Sequence, residues 1–297
     1  LDIYTRALTA GEVAAVYAAG ATGKCVPAQC VTTPTNQVAT FKGQNNANDS
    51  QGTNNGTASG GVTYSTGKVG QAFDLADGNA NVTIPDSPSL RPDSFTVEGW
   101  FNFTTYSNEF RMLFNKPTAD PSYSSYGVYI YGGLLTAQSS DGVNLGNTLQ
   151  HSLNPTPGQW YHIAFTRQAG GQQKLFVNGI EVDSDASNAS VGYTNIPLTL
   201  GHDTGGSIHG KIDEFSIYDR ALTVMEIQSI FAADSAGKCA TIGCNAANYE
   251  FDDNLDSTGV TAPSLSYIGT GQTFTTETVN GTPERVMSGL ALPTAVK

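Results

Sequence analysis

The sequence predicts an all-β protein built as an antiparallel sandwich. Three observations carry this prediction: many short segments of alternating apolar and polar residues, Gly, Asn and Asp turn signals between them, and one helix signal after the last strand. Hydrophobic residues make up 39% of the 297 residues, enough for a sizeable core. Charged residues make up only 13%, so solubility rests on Asn, Thr, Ser and Gly, as is common in extracellular β proteins.

The first half of the chain begins with a strand (1–8), a helix (9–19) and a linker (20–35). The next strand is predicted at Val38–Phe41. The stretch 43–61 is rich in Asn and Gly and is predicted to be a long loop. The strands that follow are Gln71–Leu75, Asn81–Ile84, Phe95–Phe103, Glu109–Asn115, Gly127–Tyr131 and Leu134–Gln138.

The second half continues the strand pattern and ends in a helix. Asn178 and Gly179 are predicted to form a hairpin turn. Thr223 and Glu226 form a capping box that opens the helix. The predicted strands are Trp160–Arg167, Gln173–Val177, Ile180–Asp183, Pro197–Gly201 and Lys211–Tyr218. The apolar residues at helical spacing are Ile227, Ile230 and Phe231.

The end of this pattern also opens the chain. Each residue from Leu1 to Cys30 corresponds, without a gap, to the residue 214 positions later. A repeat of this length is a whole domain rather than a solenoid unit. The sequence therefore predicts five segments: the closing strand and helix of a preceding repeat (1–24), a linker (25–35), a complete sandwich (36–236), a second linker (237–248) and the opening strands of a following, incomplete repeat (249–297).

Six motifs within this pattern also carry a family resemblance. In chain order they are Gly67–Phe73, Val82–Pro85, Ser94–Trp100, Gln159–Ala164, Leu175–Gly179 and Ile212–Glu214. Together they resemble the laminin-G-like, concanavalin-A-like jelly-roll domain repeats of bacterial secreted or surface proteins. The resemblance implies tandem jelly-roll sandwiches, each with a short helix after its closing strand. It does not define a function, because the family includes sugar binders, adhesion modules and inert spacers.

The charge balance excludes some partners. The formal net charge is −12, so nucleic acid and anionic membrane surfaces are not expected partners. No apolar run is long enough to cross a membrane. The chain has no initial Met and no signal peptide, and it starts in mid-domain, so we expect a piece of a longer, exported protein.

The four cysteines form two C-x4-C pairs, Cys25 with Cys30 and Cys239 with Cys244. Neither pair has a histidine at zinc-finger spacing. We therefore predict one short local disulfide in each linker. Disulfides imply an oxidising compartment, and the predicted localisation is extracellular or at the cell surface.

A possible metal site is centred on Asp213. In regular strand geometry Asp213, Phe215 and Ile217 share one face, and the two apolar residues indicate that this face is the core. A buried carboxylate has to be paired or metal-bound. The family resemblance implies calcium between the closing strand and the first strand region, with Asp49 as the second carboxylate and Asp77 as a weaker candidate.

Two alternatives to calcium remain open. Lys42 stands where the third repeat has Asp252, so Lys42 could pair with Asp213 and replace the ion. Alternatively, backbone amides could satisfy Asp213 without any partner charge.

Two tyrosines are the candidate ligand-binding residues. Tyr129 and Tyr131 alternate with Val128 and Ile130, so they point away from that apolar pair. Exposed rings on such a face can stack on sugars, whereas tyrosines at a sandwich rim also pack with a hydrated hydroxyl. No pair of carboxylates with glycosidase spacing and no nucleophile motif is found, so we predict no catalytic residues and no enzyme activity.

The predicted function is that of a non-enzymatic structural or adhesion module in a multi-repeat surface protein or filament. Its expected partners are neighbouring copies or repeats of the same protein, joined head to tail by strand complementation between the two incomplete ends. The alternative is a carbohydrate-binding module of a secreted glycan-active enzyme, which would bind polysaccharide.

Overall fold

The computed structural model describes residues 30–76, 78–120, 123–144, 148–186, 190–203, 206–239, 273–279 and 282–288. The chain divides into two compact units, Leu1–Cys239 and Ala240–Lys297. The larger unit is an antiparallel β-sandwich, which confirms the predicted fold class.

The sandwich strands follow the chain as β1 (Gln37–Phe41), β2 (Thr57–Ser59), β3 (Thr63–Thr66), β4 (Gln71–Leu75), β5 (Asn81–Ile84), β6 (Phe95–Phe103), β7 (Arg111–Pro117), β8 (Ser124–Tyr131), β9 (Leu134–Gln138), β10 (Thr148–Ser152), β11 (Trp160–Arg167), β12 (Gln173–Val177), β13 (Ile180–Asp185), β14 (Leu198–Leu200), β15 (His202–Asp203), β16 (Gly206–Ser207) and β17 (Gly210–Tyr218). One helix, α1 (Val224–Ala232), follows β17.

The strands form two large sheets with the core between them. The eight-stranded sheet has the order β13-β12-β11-β6-β17-β4-β3, and β1 also pairs with β17. The seven-stranded sheet has the order β10-β9-β8-β7-β14-β5-β2. Neighbouring strands are thus often far apart in sequence, as in a jelly roll.

The core follows from the alternation along the central strands. Phe95, Val97, Phe101 and Phe103 of β6 share one face, and all four are fully buried in the main core. On β11 the inward residues are Tyr161, Ile163 and Phe165. Alternate positions of these two strands thus supply apolar side chains to the main core.

Helix α1 covers the other face of the eight-stranded sheet. Thr223 and Glu226 make the predicted capping box, each bonding the backbone N–H of the other. Ile227 and Ile230 are buried in a second apolar cluster with strand residues that point away from the main core. Phe231 stacks on Trp100 of β6, with ring centroids 5.7 Å apart.

The predicted orientation of Asp213 is wrong because β17 contains a β-bulge. Its register against β6 shifts between Asp213 and Ser216, and Glu214 takes a left-handed backbone with φ 50°. Phe215 and Ile217 therefore lie in the main core. Asp213 lies opposite Trp100, on the helix-covered face of the sheet.

The predicted disulfide pairing is also wrong. Cys30 is bonded to Cys239, with Cα atoms 4.8 Å apart and a sequence separation of 209. The pairing arises because the segments before β1 and after α1 run side by side, with a parallel bridge between Val31 and Lys238. Cys25 and Cys244 lie outside the described residues.

The smaller unit contributes one antiparallel hairpin, β18 (Thr273–Val279) and β19 (Thr282–Ser288). The predicted strand and helix at 1–24 lie outside the described residues, as does most of the predicted third repeat. Within the described part of the chain, no helix has the length and apolar character needed to cross a membrane.

Candidate functional site

A row of residues without a formal charge crosses the outer face of the seven-stranded sheet, and all of them but Gly127 have a polar side chain. From β2 to β10 the residues in register are Thr57, Thr83, Thr199, Asn115, Gly127, Gln138 and Thr148. Their neighbours along the strands, such as Val82 and Leu200, point into the core. The alternation therefore leaves a face of hydroxyl and amide groups without a formal charge.

A groove of about 400 Å³ lies on this face, where β5, β14 and β7 meet. Its lining residues are Asn81, Thr83, Asn115, Pro117, Thr118, Ala119, Ile196, Pro197, Thr199 and His202. None of these is Asp, Glu, Lys or Arg. Hydroxyl and amide groups beside proline and aliphatic surface suit a ligand that is polar but uncharged.

The groove wall at Ile196 and Pro117 is held by a buried lysine. Lys116 is fully buried, and its Nζ donates to Asp86 Oδ1 at 2.6 Å and to the Thr194 carbonyl at 3.1 Å. It also donates to the Ile196 carbonyl. Burial lowers the pKa of Lys116, although the Asp86 carboxylate opposes this effect. The ammonium group thus ties the end of β7 to the loop before β14.

Tyr129 and Tyr131 lie on the same outer face as the polar row. Tyr129 is half-buried and stacks on Phe110, with ring centroids 4.9 Å apart. Tyr131 is 61% exposed, and its ring centroid lies 6.4 Å from that of Phe110. Tyr129 thus packs on a neighbouring ring, whereas Tyr131 offers most of its surface to solvent. Ligand binding by either tyrosine stays a prediction.

Asp213 is satisfied by backbone amides. Its Oδ2 accepts from Val69 N–H at 2.8 Å, and its Oδ1 accepts from Glu214 N–H at 2.7 Å. A side chain at Gly67 would place a Cβ 2.5 Å from Oδ2, so glycine is needed for this close approach. Burial raises the pKa of Asp213 to about 7, although the amide hydrogen bonds oppose this shift. The structure thus matches the alternative in which backbone amides satisfy Asp213 without a partner charge. Among the described residues, Lys42 makes no ion pair with Asp213.

Asp49 organises the long loop after β1. Its Oδ1 accepts from the N–H groups of Thr40 and Gln51, and its Oδ2 accepts from the N–H of Asn54. Asp77 lies outside the described residues. Among the residues the structure describes, no three His, Cys, Asp or Glu side chains are grouped to hold a metal. Calcium binding stays a prediction, and an ion at Asp49 would have to compete with these amides.

A buried ionic cluster that the strand pattern does not predict lies beneath α1. Glu98 of β6 and His162 of β11 are fully buried, with His162 Nε2 3.0 Å from Glu98 Oε2. Lys238 donates to Glu98 Oε1 at 2.9 Å and to the Glu214 carbonyl at 3.0 Å. The signal that could have found this cluster is Glu98 itself, the one charged residue in an otherwise apolar or neutral strand.

The cluster is a buried Lys238–Glu98 ion pair with His162 bonded to the same carboxylate. Burial alone would raise the pKa of Glu98, but Lys238 and His162 bring it below its usual value. Burial would likewise lower the pKa of Lys238, but Glu98 raises it above its usual value. Since Glu98 and His162 are closed to solvent, neither can contact a substrate.

The sequence comparisons agree with this fold. Residues 76–228 match the family model of the concanavalin A-like lectin/glucanases superfamily, in its laminin-G form. Human adhesion G-protein coupled receptor D1 is 34% identical over 101 residues, which are 32% of this chain and 11% of the receptor. The chain thus spans about a tenth of that relative.

Similar solved structures include binding domains of botulinum neurotoxins and of a paraclostridial mosquitocidal protein. The binding domain of Paraclostridial Mosquitocidal Protein 1 has a TM-score of 0.57 and 19% identity, over 66% of this chain and 52% of that one. The ligand-binding domain of botulinum neurotoxin serotype D, in complex with N-acetylneuraminic acid, has a TM-score of 0.54 and 15% identity, over 66% and 50%. The binding domain of botulinum neurotoxin DC, in complex with rat synaptotagmin II, has a TM-score of 0.52 and 15% identity, over 66% and 51%. At these identities the likeness concerns the fold alone.

Proposed function

The chain belongs to the concanavalin A-like lectin/glucanases superfamily, and we propose that it is a non-enzymatic extracellular module that binds carbohydrate. The ligand site is the groove on the outer face of the seven-stranded sheet. One observation carries the proposal: the described lining residues of the groove combine hydroxyl, amide and imidazole groups with apolar walls, and none of them carries a carboxylate, ammonium or guanidinium group.

The lining favours a neutral glycan over an anionic one. N-acetylneuraminic acid, which is bound in one solved structure of this fold, carries a carboxylate. This groove offers no Arg or Lys to that group, and the chain as a whole carries a net charge of −12. A neutral sugar needs only hydrogen-bond partners and a surface for its apolar face, and the groove supplies both.

A glycan array followed by calorimetry tests this proposal. We expect binding to one or more neutral oligosaccharides and no binding to their sialylated forms. The variants Thr83→Val and Thr199→Val remove a hydroxyl each while keeping the shape and strand propensity of the side chain. Each should weaken binding by about fivefold to tenfold, the effect of one lost hydrogen bond of ~1 kcal/mol.

The matched control is Thr63→Val, on an exposed position of β3 in the other sheet. It should leave both the affinity and the melting temperature unchanged. Wild-type affinity in a Thr83→Val/Thr199→Val double variant would contradict the proposed site. Preferential binding of sialylated glycans would contradict the proposed ligand class.

The internal repeat supports a second candidate, the structural or adhesion role in a tandem surface protein. The 30 residues from Leu1 match those from Phe215, so this chain contains parts of more than one domain of the same kind. Assembly by strand complementation concerns residues 1–8 and 249–297, most of which lie outside the described residues. Sedimentation velocity over a concentration series tests this head-to-tail assembly. Oligomers that grow longer with protein concentration would support assembly, and a strictly monomeric species would rule it out.

A further inference from the structure

The Cys30–Cys239 disulfide lies where the chain enters and leaves the sandwich. Cys30 precedes β1 and Cys239 follows α1, and their Cα atoms are 4.8 Å apart. The two segments are also joined by the backbone, since Val31 N–H donates to the Gly237 carbonyl at 2.9 Å and Cys239 N–H donates to the Val31 carbonyl at 2.8 Å. We call this arrangement of Cys30, Val31, Lys238 and Cys239 the clasp.

We propose that the clasp makes the sandwich a load-bearing link, so that tension along the chain passes through the disulfide and does not load the sheets. A force that acts before Cys30 and after Cys239 has a covalent path between them. The residues between the two cysteines form a closed loop outside that path. This mechanical function is distinct from glycan binding, because it does not involve the groove.

The strand topology shows what the clasp prevents. β1 and β17 are antiparallel neighbours, and Gln37 at the start of β1 pairs with Tyr218 at the end of β17. Tension on these two adjacent ends would pull the strands apart from one side. Since ladder hydrogen bonds lie perpendicular to antiparallel strands, such a pull loads them one after another rather than together. Without the disulfide, this strand pair is therefore the weak point.

The segment after α1 has a second, non-covalent attachment. Lys238, next to Cys239, is only 6% exposed and makes an ion pair with Glu98. Buried ion pairs of this kind are costly to break because they leave an unpaired charge behind. We therefore expect the reduced protein to stay folded when no force is applied. A difference between the oxidised and reduced proteins under force then reports on the disulfide.

The sequence repeat extends the arrangement to successive domains. At the offset of 214, Cys25 corresponds to Cys239 and Cys30 corresponds to Cys244. The two cysteines of one linker then belong to two clasps: the first closes the preceding sandwich and the second closes the next. In tandem copies, the load would pass from clasp to clasp through the four residues between the cysteines.

Non-reducing tryptic mapping tests the pairing first. Trypsin releases Cys25 and Cys30 together in the peptide 25–42, and Cys239 and Cys244 together in the peptide 239–285. The clasp predicts that the two peptides remain joined until reductant is added. Two separate peptides, each closed on itself, would overturn the proposal.

Single-molecule force spectroscopy on the full chain, held at its two ends, tests the mechanical function. The oxidised protein should show no extension step from the sandwich. Addition of reductant should release the 209-residue loop as a step of about 70 nm, from a full extension of roughly 3.3–3.6 Å per residue. The Cys30→Ser/Cys239→Ser variant should give the same step without reductant.

The matched control is the Cys25→Ser/Cys244→Ser variant, which should behave as the oxidised wild type does. A 70-nm step in the oxidised wild type would overturn the proposal, because the sheets would then be under load. The proposal would also be overturned if the reduced chain withstood forces as high as the oxidised chain withstands. The sandwich itself would then bear the tension.

Discussion

At the scale of the residue, the carboxyl group of Asp213 is buried by a tight loop rather than by the main core. Its oxygens accept hydrogen bonds from Val69 and Glu214, and Gly67 leaves room for it. Desolvation has the largest effect on this group and raises its pKa to about 7. The folded protein therefore retains a proton on Asp213 at pH values where the unfolded chain has lost it.

This shift predicts a pH-dependent effect of Asp213→Asn. The contribution of Asp213 to stability is complete below pH 4 and is lost as the pH rises to 7, by up to about 4 kcal/mol at ~1.4 kcal/mol per pKa unit. The variant does not titrate, so its free energy of unfolding should rise relative to wild type over that range. Urea unfolding of both proteins between pH 4 and 8 measures the difference.

The exposed Asp219 provides the control for this measurement. Asp219→Asn removes a carboxylate from an exposed position just after the same strand, so it is the charge-matched comparison at each pH. A difference between wild type and Asp213→Asn that stays constant from pH 4 to 8 would show that Asp213 titrates alike in the folded and unfolded chains.

Lys238 is the buried cation that faces the Glu98 carboxylate. Lys238→Met should lower the free energy of unfolding by about 3–5 kcal/mol, because it leaves Glu98 charged and buried. The double variant Glu98→Gln/Lys238→Met removes both charges and should recover part of that loss. The control, Lys174→Met, breaks the more exposed Lys174–Glu181 pair and should cost less than ~1 kcal/mol. Equal losses in the two lysine variants would contradict the importance of the buried cluster.

At the scale of the element, long alternating segments were predictable from sequence. Strands Phe95–Phe103 and Trp160–Arg167 have the predicted bounds, because each presents several large apolar residues at every second position. β2 and β10 were missed because they are short and mostly polar, as in Thr148–Ser152 with Leu149 as its one residue in the main core. The bulge at Glu214 carries no local signal, and it reverses the face of Asp213.

None of the described lining residues of the candidate groove is among the residues that the sequence predicts to bind ligand. The outward orientation of Tyr129 and Tyr131, which lie on the same face but do not line the groove, follows from alternation within one strand. The meeting of Thr83, Asn115 and Thr199 does not, because it depends on the register between β5, β14 and β7, which are distant in sequence. A polar residue on the outer face of a strand is also the normal pattern of any half-exposed sheet, so none of the three stands out alone.

The loop after β1 depends on one carboxylate. Asp49 accepts from three backbone N–H groups, so Asp49→Ala would leave buried donors without partners. We expect a loss of about 2–4 kcal/mol in unfolding free energy, measured by urea unfolding. Asp74→Ala on β4 is the control for loss of a half-buried aspartate.

Calcium titration in the same assay tests the calcium prediction: a gain in wild-type stability that Asp49→Ala lacks would indicate an ion there.

In the whole molecule, the two outer faces of the sandwich differ in what covers them. Helix α1 and the clasp cover the eight-stranded sheet and bury its ionic cluster. The outer face of the seven-stranded sheet keeps its polar row and groove. Because the proposed ligand face and the clasp lie on opposite sheets, ligand binding and mechanical closure should be separable by experiment.

Reduction of the disulfide at equilibrium should lower the stability of the sandwich and leave the groove intact. The disulfide closes a loop of 209 residues, so its removal increases the entropy of the unfolded chain. The chain-entropy relation gives a loss of up to about 5 kcal/mol for a loop of this size. Urea unfolding with and without reductant measures this loss, and Cys25→Ser/Cys244→Ser should lose the same amount when reduced.

Because the groove is built from β5, β7 and β14, the reduced and still folded protein should bind glycan with unchanged affinity. A reduced protein that remains folded but no longer binds would show that the clasp and the groove are coupled, and that the two outer faces do not act independently.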